Sequence, residues 1–262
     1  MGLLERNIRK SSAEFDRRNG IFPENELMQL FGNKRAIERK SIFDVSFDKK
    51  SAVVIVAPSG CGKTTFAKKI LEKYPDFVMC SYDECYIEGV KKSKIHIEKL
   101  NDYLMIKILD RKLRESKDKN LLIDGLMISP VARMAMLNTL RTLGYEIHIV
   151  YFSTETVLSQ ISSVFLSRAV KYEICDRHGY SAVQTLTELL MNRMEDNVIE
   201  EYAKERGITP EEVICDLESH PNVQYHIRSF WDDYYFEISN YNIGAQEKRG
   251  YFKLGADYYY EL

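Results

Sequence analysis

The segment from Ala57 to Thr65 contains the residues of this sequence whose types and spacing most clearly indicate chemistry. It reads Ala-Pro-Ser-Gly-Cys-Gly-Lys-Thr-Thr, which matches the P-loop pattern Gly-x-x-x-x-Gly-Lys-Ser/Thr with Ala57 in place of the first glycine. In such a loop, backbone N–H groups contact phosphate oxygens at the N-terminus of a helix, where the helix dipole favours negative charge. The pattern predicts that the chain binds a nucleoside triphosphate; the alternative is a glycine turn with a solvated lysine.

The loop also predicts roles for individual side chains. We expect Lys63 to contact the β- and γ-phosphates of ATP and the Thr64 hydroxyl to ligate Mg²⁺. We expect Cys61 to fill space in the loop and not to act as a nucleophile. The residues predicted to bind the nucleotide are Ser59, Gly60, Cys61, Gly62, Lys63, Thr64 and Thr65.

Two acidic residues follow predicted strands, and ligands of an open parallel sheet bind beyond the carboxyl ends of its strands. Asp124 closes the run Leu-Leu-Ile and is the predicted Mg²⁺ ligand, directly or through water. Asp83, next to Glu84, follows the strand predicted at 77–80, and at that place a carboxylate can accept a proton from an incoming hydroxyl. The alternatives are a turn-capping aspartate at position 124 and a helix-capping aspartate at position 83.

The elements that must position these residues alternate between strand and helix. Apolar runs predict strands at 51–56, 77–80, 121–124 and 146–152, and helices are predicted after the P-loop, at 94–113 and at 130–143. This alternation predicts an α/β fold: a P-loop NTPase-type, doubly wound parallel sheet flanked by helices. Residues 155–205 are expected to be mainly helical, and Val223–Ile227 is the candidate for a last strand.

The flanking regions complete the predicted organisation. Residues 1–50, broken by Gly20, Pro23 and Gly32, are expected to form a helical N-terminal extension, with a disordered tail as the alternative. Residues 51–262 are expected to form one P-loop kinase domain, with a lid and acceptor region at about 155–215.

Three motifs in order resemble the P-loop kinases related to phage polynucleotide kinase and the zeta toxins. They are the P-loop, Ser-Tyr-Asp-Glu at 81–84, and Leu-Ile-Asp-Gly at 122–125 before a helix that begins at Pro130 and ends in Leu-Gly-Tyr. The resemblance covers about residues 51–155, and the P-loop is its most specific part. It implies that Lys63 and Thr64 bind ATP phosphates and Mg²⁺, and that Asp83 is the general base for the acceptor hydroxyl.

The same resemblance implies a role for arginines, and here the sequence departs from the family. The family has a short lid with arginines soon after the fourth strand, whereas this chain spreads its cations over a longer helical region. Arg168 is the candidate lid residue, since a transferring phosphoryl group needs a cation over its equatorial oxygens. For Arg133 we weigh a contact with an acceptor or nucleotide phosphate against a solvated position. For Lys91, Lys92 and Lys94 we weigh steering of a nucleic-acid backbone against a solvated turn.

Composition narrows the class of protein. The net charge of −2 gives no strongly basic footprint for duplex nucleic acid, and no apolar run approaches the length of a membrane span. The five cysteines, at 61, 80, 85, 175 and 215, lack zinc-ligand spacing, so reduced thiols in a cytoplasm are expected, the host's if a phage encodes the chain. We expect no membrane partner.

The leading hypothesis is a kinase that transfers the γ-phosphate of ATP to a hydroxyl of a nucleic acid, nucleotide or nucleoside. Kinases of modified bases in DNA are one form of it. The alternatives are a kinase of a small metabolite or sugar nucleotide, and a P-loop ATPase without a phosphoryl acceptor. A guanine-reading Asn-Lys-x-Asp motif is absent from the sequence, which weakens the case for a GTP-driven switch.

Overall fold

A six-stranded, all-parallel sheet forms the centre of the protein in the computed structural model. The structure describes residues 36–48, 50–58, 60–81, 111–116, 118–125, 127–177, 198–240 and 243–262. The strands are β1 (Ile37–Glu38), β2 (Ser51–Val56), β3 (Phe77–Ser81), β4 (Asn120–Asp124), β5 (Glu146–Tyr151) and β6 (Tyr258–Glu261). Their spatial order is β1-β6-β5-β2-β4-β3. This sheet and its flanking helices confirm the predicted α/β fold of the P-loop NTPase type.

Seven α-helices have defined bounds within the described residues. They are α1 (Lys63–Lys73), α2 (Pro130–Thr142), α3 (Thr154–Arg177), α4 (Val198–Arg206), α5 (Pro210–Glu218), α6 (Pro221–Asn240) and α7 (Ile243–Lys248). Single 3₁₀ turns lie at Ile42–Asp44 and Tyr251–Lys253. None of the helices in the described ranges combines the length and the apolarity that a membrane crossing requires.

The chain divides into two compact units. The first comprises Met1–Val157 and Glu237–Leu262 and contains the sheet, with a core that includes Val54, Ile123 and Leu137. The second, Leu158–Phe236, is helical and has its own core around Ile174, Tyr202 and Val223. Each unit therefore buries apolar side chains of its own.

Several sequence predictions can be compared with these elements. The strands at 77–80, 121–124 and 146–152 are present within a residue of their predicted bounds, and α2 is followed by Gly144 in the left-handed conformation, at φ 80°. The helix predicted at 94–113 lies outside the described residues as far as residue 110. Residues 1–35 also lie outside them, while residues 36–50 contain β1 and a 3₁₀ turn. The predicted extension, kinase-domain and lid boundaries stay predictions.

The strand predicted at Val223–Ile227 is wrong, because this segment lies inside helix α6. The longer segment has an apolar residue every three or four positions, at Val223, Ile227, Phe230 and Tyr234, and this spacing places them on one helix face. The five residues from 223 to 227 are too few to show that spacing, and taken alone their apolar residues alternate as in a strand. The C-terminal strand that joins the sheet is β6, which pairs with both β5 and β1.

A buried histidine lies in the middle of β5. His148 is 1% exposed, and its ring stacks on Tyr258 at 4.8 Å between centroids, with Nδ1 3.0 Å from the Tyr260 hydroxyl oxygen. The edge of Phe47 packs against it at 5.0 Å. Burial lowers the pKa of His148 to about 4, because the charged form loses its hydration, although the nearby carboxylate of Glu146 favours the charged form.

We expect His148 to make the folded protein less stable as the pH falls from about 6.5 to about 4. In that window the unfolded chain binds a proton at His148 that the folded chain does not, so protonation favours unfolding. The free energy of unfolding should be measured by urea titration across this range for the wild type and His148→Gln. The variant should lose less stability on acidification. Carboxylates titrate in both proteins, so the difference between the two free energies of unfolding isolates the contribution of His148. Parallel pH profiles of the wild type and the variant would contradict the prediction.

Candidate functional site

The P-loop connects the end of β2 to the start of α1, in the order that the sequence predicts. Gly60 and Gly62 have φ values of 72° and 82°, a left-handed conformation that glycine adopts without steric cost. The amide of Phe66 donates to the carbonyl of Gly62 at 3.0 Å and makes the first hydrogen bond of the helix. The amides of Lys63, Thr64 and Thr65 therefore precede the intrahelical ladder, as the amides of an anion-binding helix start do.

Two side chains of the loop point back to one backbone carbonyl. The Lys63 ammonium donates to the Pro58 oxygen at 2.6 Å, and the Cys61 thiol donates to the same oxygen at 2.9 Å. Cys61 is 1% exposed and packs into the loop, as expected for a filler. Lys63 therefore folds across the loop in which the phosphates are predicted to bind.

The two predicted metal ligands lie side by side. The Thr64 hydroxyl donates to Oδ2 of Asp124 at 2.9 Å, and Asp124 is buried. The register of β2 and β4, in which Ile55 is paired with Asp124, brings the end of β4 next to the start of the P-loop. A hydroxyl and a carboxylate fit Mg²⁺, which prefers oxygen ligands and takes one or two carboxylates, with water and phosphate oxygens for the rest.

The predicted base and one loop residue lie outside the described residues. These are Asp83 and Ser59; Glu84 and the lysines at 91, 92 and 94 also lie outside them. Strand β3 ends at Ser81, whose register partner on β4 is Asp124. The chain therefore leaves β3 at the edge of the sheet that carries the P-loop and Asp124, two residues before position 83.

Arg168 lies in the second unit, on α3. Its side chain is partly exposed, and its guanidinium carbon is 5.5 Å from the centroid of the Phe230 ring on α6. This cation–π contact holds the arginine against the core of its own unit. Its predicted role as a lid residue stays a prediction.

Arg133 lies in neither of the two positions considered for it, because its side chain is fully buried. Its guanidinium donates to protein carbonyl groups and stacks at 4.7 Å over the ring of Phe252. The sequence contains a signal for this burial, because Arg133 is on the same face of α2 as Leu137 and Leu140, both buried. An arginine within an apolar stripe is more consistent with a buried hydrogen-bonded position than with a solvated one.

Comparison with known proteins supports the general class of this site. Residues 53–160 match the family model of an AAA domain, which is less than half of the chain. The structure of the PezAT chromosomal toxin–antitoxin system of Streptococcus pneumoniae is similar at 15% identity and a TM-score of 0.39, over 78% of this chain and 72% of that one. That likeness is too distant to carry an argument about function. No curated protein sequence matches the chain.

The family match spans the P-loop and Asp124 together. With the loop geometry, it supports a P-loop activity of kinase or ATPase type. It does not identify a phosphoryl acceptor.

We expect Asp124→Asn to weaken Mg²⁺-dependent activity, with partial recovery at high Mg²⁺. Asparagine can still accept the hydrogen bond from Thr64 but lacks the charge that attracts the cation, and losing a metal-site carboxylate should raise the half-saturating Mg²⁺ concentration about 10- to 100-fold. Steady-state rates across a Mg²⁺ titration test this.

The matched control is Asp76→Asn, because Asp76 accepts a hydrogen bond from Asn120 at 2.9 Å just before β3, at the opposite edge of the sheet. Its Mg²⁺ titration should match that of the wild type. An unchanged titration for Asp124→Asn would instead support a structural turn-capping role for that residue.

Proposed function

We propose that this chain is a kinase that transfers the γ-phosphate of ATP to a hydroxyl of a nucleic acid, nucleotide or nucleoside. The observation that carries the proposal is the hydrogen-bonded pair of Thr64 and Asp124 at the mouth of a P-loop. That pair supplies two oxygen ligands where the β- and γ-phosphates would lie, which suits the metal of a phosphoryl-transfer site.

The proposed binding step uses the loop residues. Lys63 would exchange the Pro58 carbonyl for phosphate oxygens, and the amides from Gly60 to Thr64 would bind the rest of the phosphate chain. Thr64 and Asp124 would hold Mg²⁺, which neutralises charge on the phosphates when bound. Binding in this way fixes the triphosphate against a rigid strand end, and phosphoryl transfer depends mostly on positioning and charge stabilisation.

Asp83 is the proposed general base. It follows β3, the neighbour of β4, and would accept the proton of the acceptor hydroxyl as that oxygen attacks the γ-phosphorus. The end of β3 at Ser81, opposite Asp124, supports this role, because neighbouring parallel strands deliver their following residues to one edge.

Arg168 is the proposed source of positive charge for the transferring phosphoryl group. We place the lid and acceptor region at about residues 155–215 of a kinase domain that spans 51–262. Arg168 lies within that region, on a helix with a core of its own.

A P-loop ATPase is the second candidate, favoured by the match to an AAA domain. A kinase of a small metabolite or sugar nucleotide remains the alternative acceptor class for the same site. The two enzyme types differ in one observable: a kinase leaves the γ-phosphate on an acceptor, and an ATPase releases it to water.

We expect purified protein to transfer label from γ-labelled ATP to a member of a panel of polynucleotides, nucleotides, nucleosides and sugar nucleotides. Lys63→Ala should lower this turnover about 10²- to 10³-fold, because it removes a charge-assisted contact to the transferring phosphate. Free phosphate that forms at the same rate with every acceptor would indicate the ATPase. Undiminished turnover by Lys63→Ala would contradict the assignment of the site itself.

We expect Asp83→Asn to bind ATP normally and to lose transfer by about 10²- to 10⁴-fold, the range for removal of a general base. Nucleotide binding should persist, since the P-loop provides it independently. Binding by titration and transfer by label should be measured on the same protein.

Glu84→Gln is the matched control for Asp83→Asn. Adjacent side chains that leave a strand point in different directions, so this neighbour should have a much smaller effect. Loss of transfer in Glu84→Gln alone would mean that the base is Glu84, and full transfer by both variants would exclude a base at this strand end.

A further inference from the structure

Arg133 connects three groups that the sequence keeps apart. Its Nη1 donates to the carbonyl oxygens of Met127 and Ile128 at 2.9 and 3.0 Å, and its Nη2 donates to Oε1 of Gln246 at 3.0 Å. Gln246 is buried on α7, 113 positions further along the chain. One planar guanidinium therefore joins the segment after β4 to the C-terminal part of the first unit.

The segment that Arg133 holds is strained. Met127 has a φ of 46°, and among the described residues it is the one non-glycine residue with a positive φ. Such a conformation is unfavourable for a residue with a Cβ and persists only where surrounding contacts impose it. The hydrogen bonds to the carbonyls of Met127 and Ile128 are contacts of that kind.

This strained segment begins three residues after Asp124. The carboxylate of Asp124 is fixed on one side by β4, where its register partners are Ile55 and Ser81. After Asp124 the chain leaves the sheet. The carbonyls of Met127 and Ile128, which follow in this segment, accept hydrogen bonds from the side chain of Arg133.

We infer that Arg133 is a positioning residue for the Mg²⁺ ligand Asp124: it fixes the segment after β4 and so holds the carboxylate at hydrogen-bonding distance from Thr64. This inference rests on the proposed function. The hydrogen bonds and ring contact that the described residues give Arg133 are with Met127, Ile128, Gln246 and Phe252, so its effect on Asp124 is through the backbone.

The chemistry of the side chain explains why an arginine occupies this position. The guanidinium presents donors in a fixed planar fork, so it can hold two successive carbonyls and a third acceptor at once, whereas a lysine ammonium is a point donor on a flexible stem. Burial lowers the pKa of Arg133 to about 9, because a fully buried cation loses its hydration. The Phe252 ring, 4.7 Å from its guanidinium carbon, compensates part of that loss.

The test compares Arg133→Lys with Arg141→Lys. Arg141 is also on α2 and also donates to the C-terminal segment, at the carbonyl of Gly255, but from the end of the helix far from Asp124. Both variants should lose thermal stability. We expect only Arg133→Lys to raise the half-saturating Mg²⁺ concentration for ATP binding, by about tenfold, the low end for a residue that acts behind a metal ligand.

The measurement is a calorimetric titration of ATP at a series of Mg²⁺ concentrations, with ATP binding without Mg²⁺ and the melting temperature recorded for each protein. Gln246→Met, which removes one acceptor and keeps the side-chain volume, is the milder variant if Arg133→Lys does not fold. It should shift the Mg²⁺ dependence in the same direction by a smaller factor.

Equal Mg²⁺ dependence in the Arg133 (or Gln246) and Arg141 variants would overturn the inference, because a purely structural loss affects both alike. Wild-type protein whose ATP binding ignores Mg²⁺ would overturn the proposed function instead. The two failures are therefore distinct.

Discussion

The parallel register between β2 and β4 is the constraint on which the site depends. It pairs Ile55 with Asp124, so the carboxylate at the end of β4 lies next to the helix that follows β2 and accepts a hydrogen bond from Thr64 at 2.9 Å. A slip of one residue would turn Asp124 to the other face of the sheet and move its apolar neighbours Leu122 and Ile123 with it. Since both are buried, the packing that stabilises the sheet also fixes Asp124 beside Thr64, the two proposed metal ligands.

The parts of the fold that the sequence predicts well are those whose signals are local. The run at 51–56, the glycines of the P-loop and the proline that begins α2 each act over a few residues, and the structure has strand, loop and helix at those places. The strands β1 and β6 are different. They are short and pair with each other across more than 200 positions, so their formation depends on contacts that no local window contains.

The same distinction separates the site residues. Lys63, Thr64 and Asp124 follow from a motif and from a strand end, and the structure places Thr64 and Asp124 in contact. The environment of Arg133 depends on Gln246 and Phe252, which reach it only through the fold of the C-terminal segment. Arg168 belongs to a helical unit with a separate core, so a motif in the sheet contains no information about its surroundings.

The buried guanidinium of Arg133 has an energetic cost that needs a physical explanation. Arg133 gives up its hydration to donate to carbonyls and to Gln246, and a well-packed apolar residue of similar size is often no less stable at such a position. Stability alone therefore gives little reason for an arginine here. Holding two successive carbonyls in a segment with a strained residue gives a better one, because charge-assisted hydrogen bonds from a rigid donor group help to impose a backbone conformation. Burial of Arg133 thus lowers the stability of the fold, and what we infer it gains is a fixed position for Asp124, the one buried acid that Thr64 contacts among the described residues.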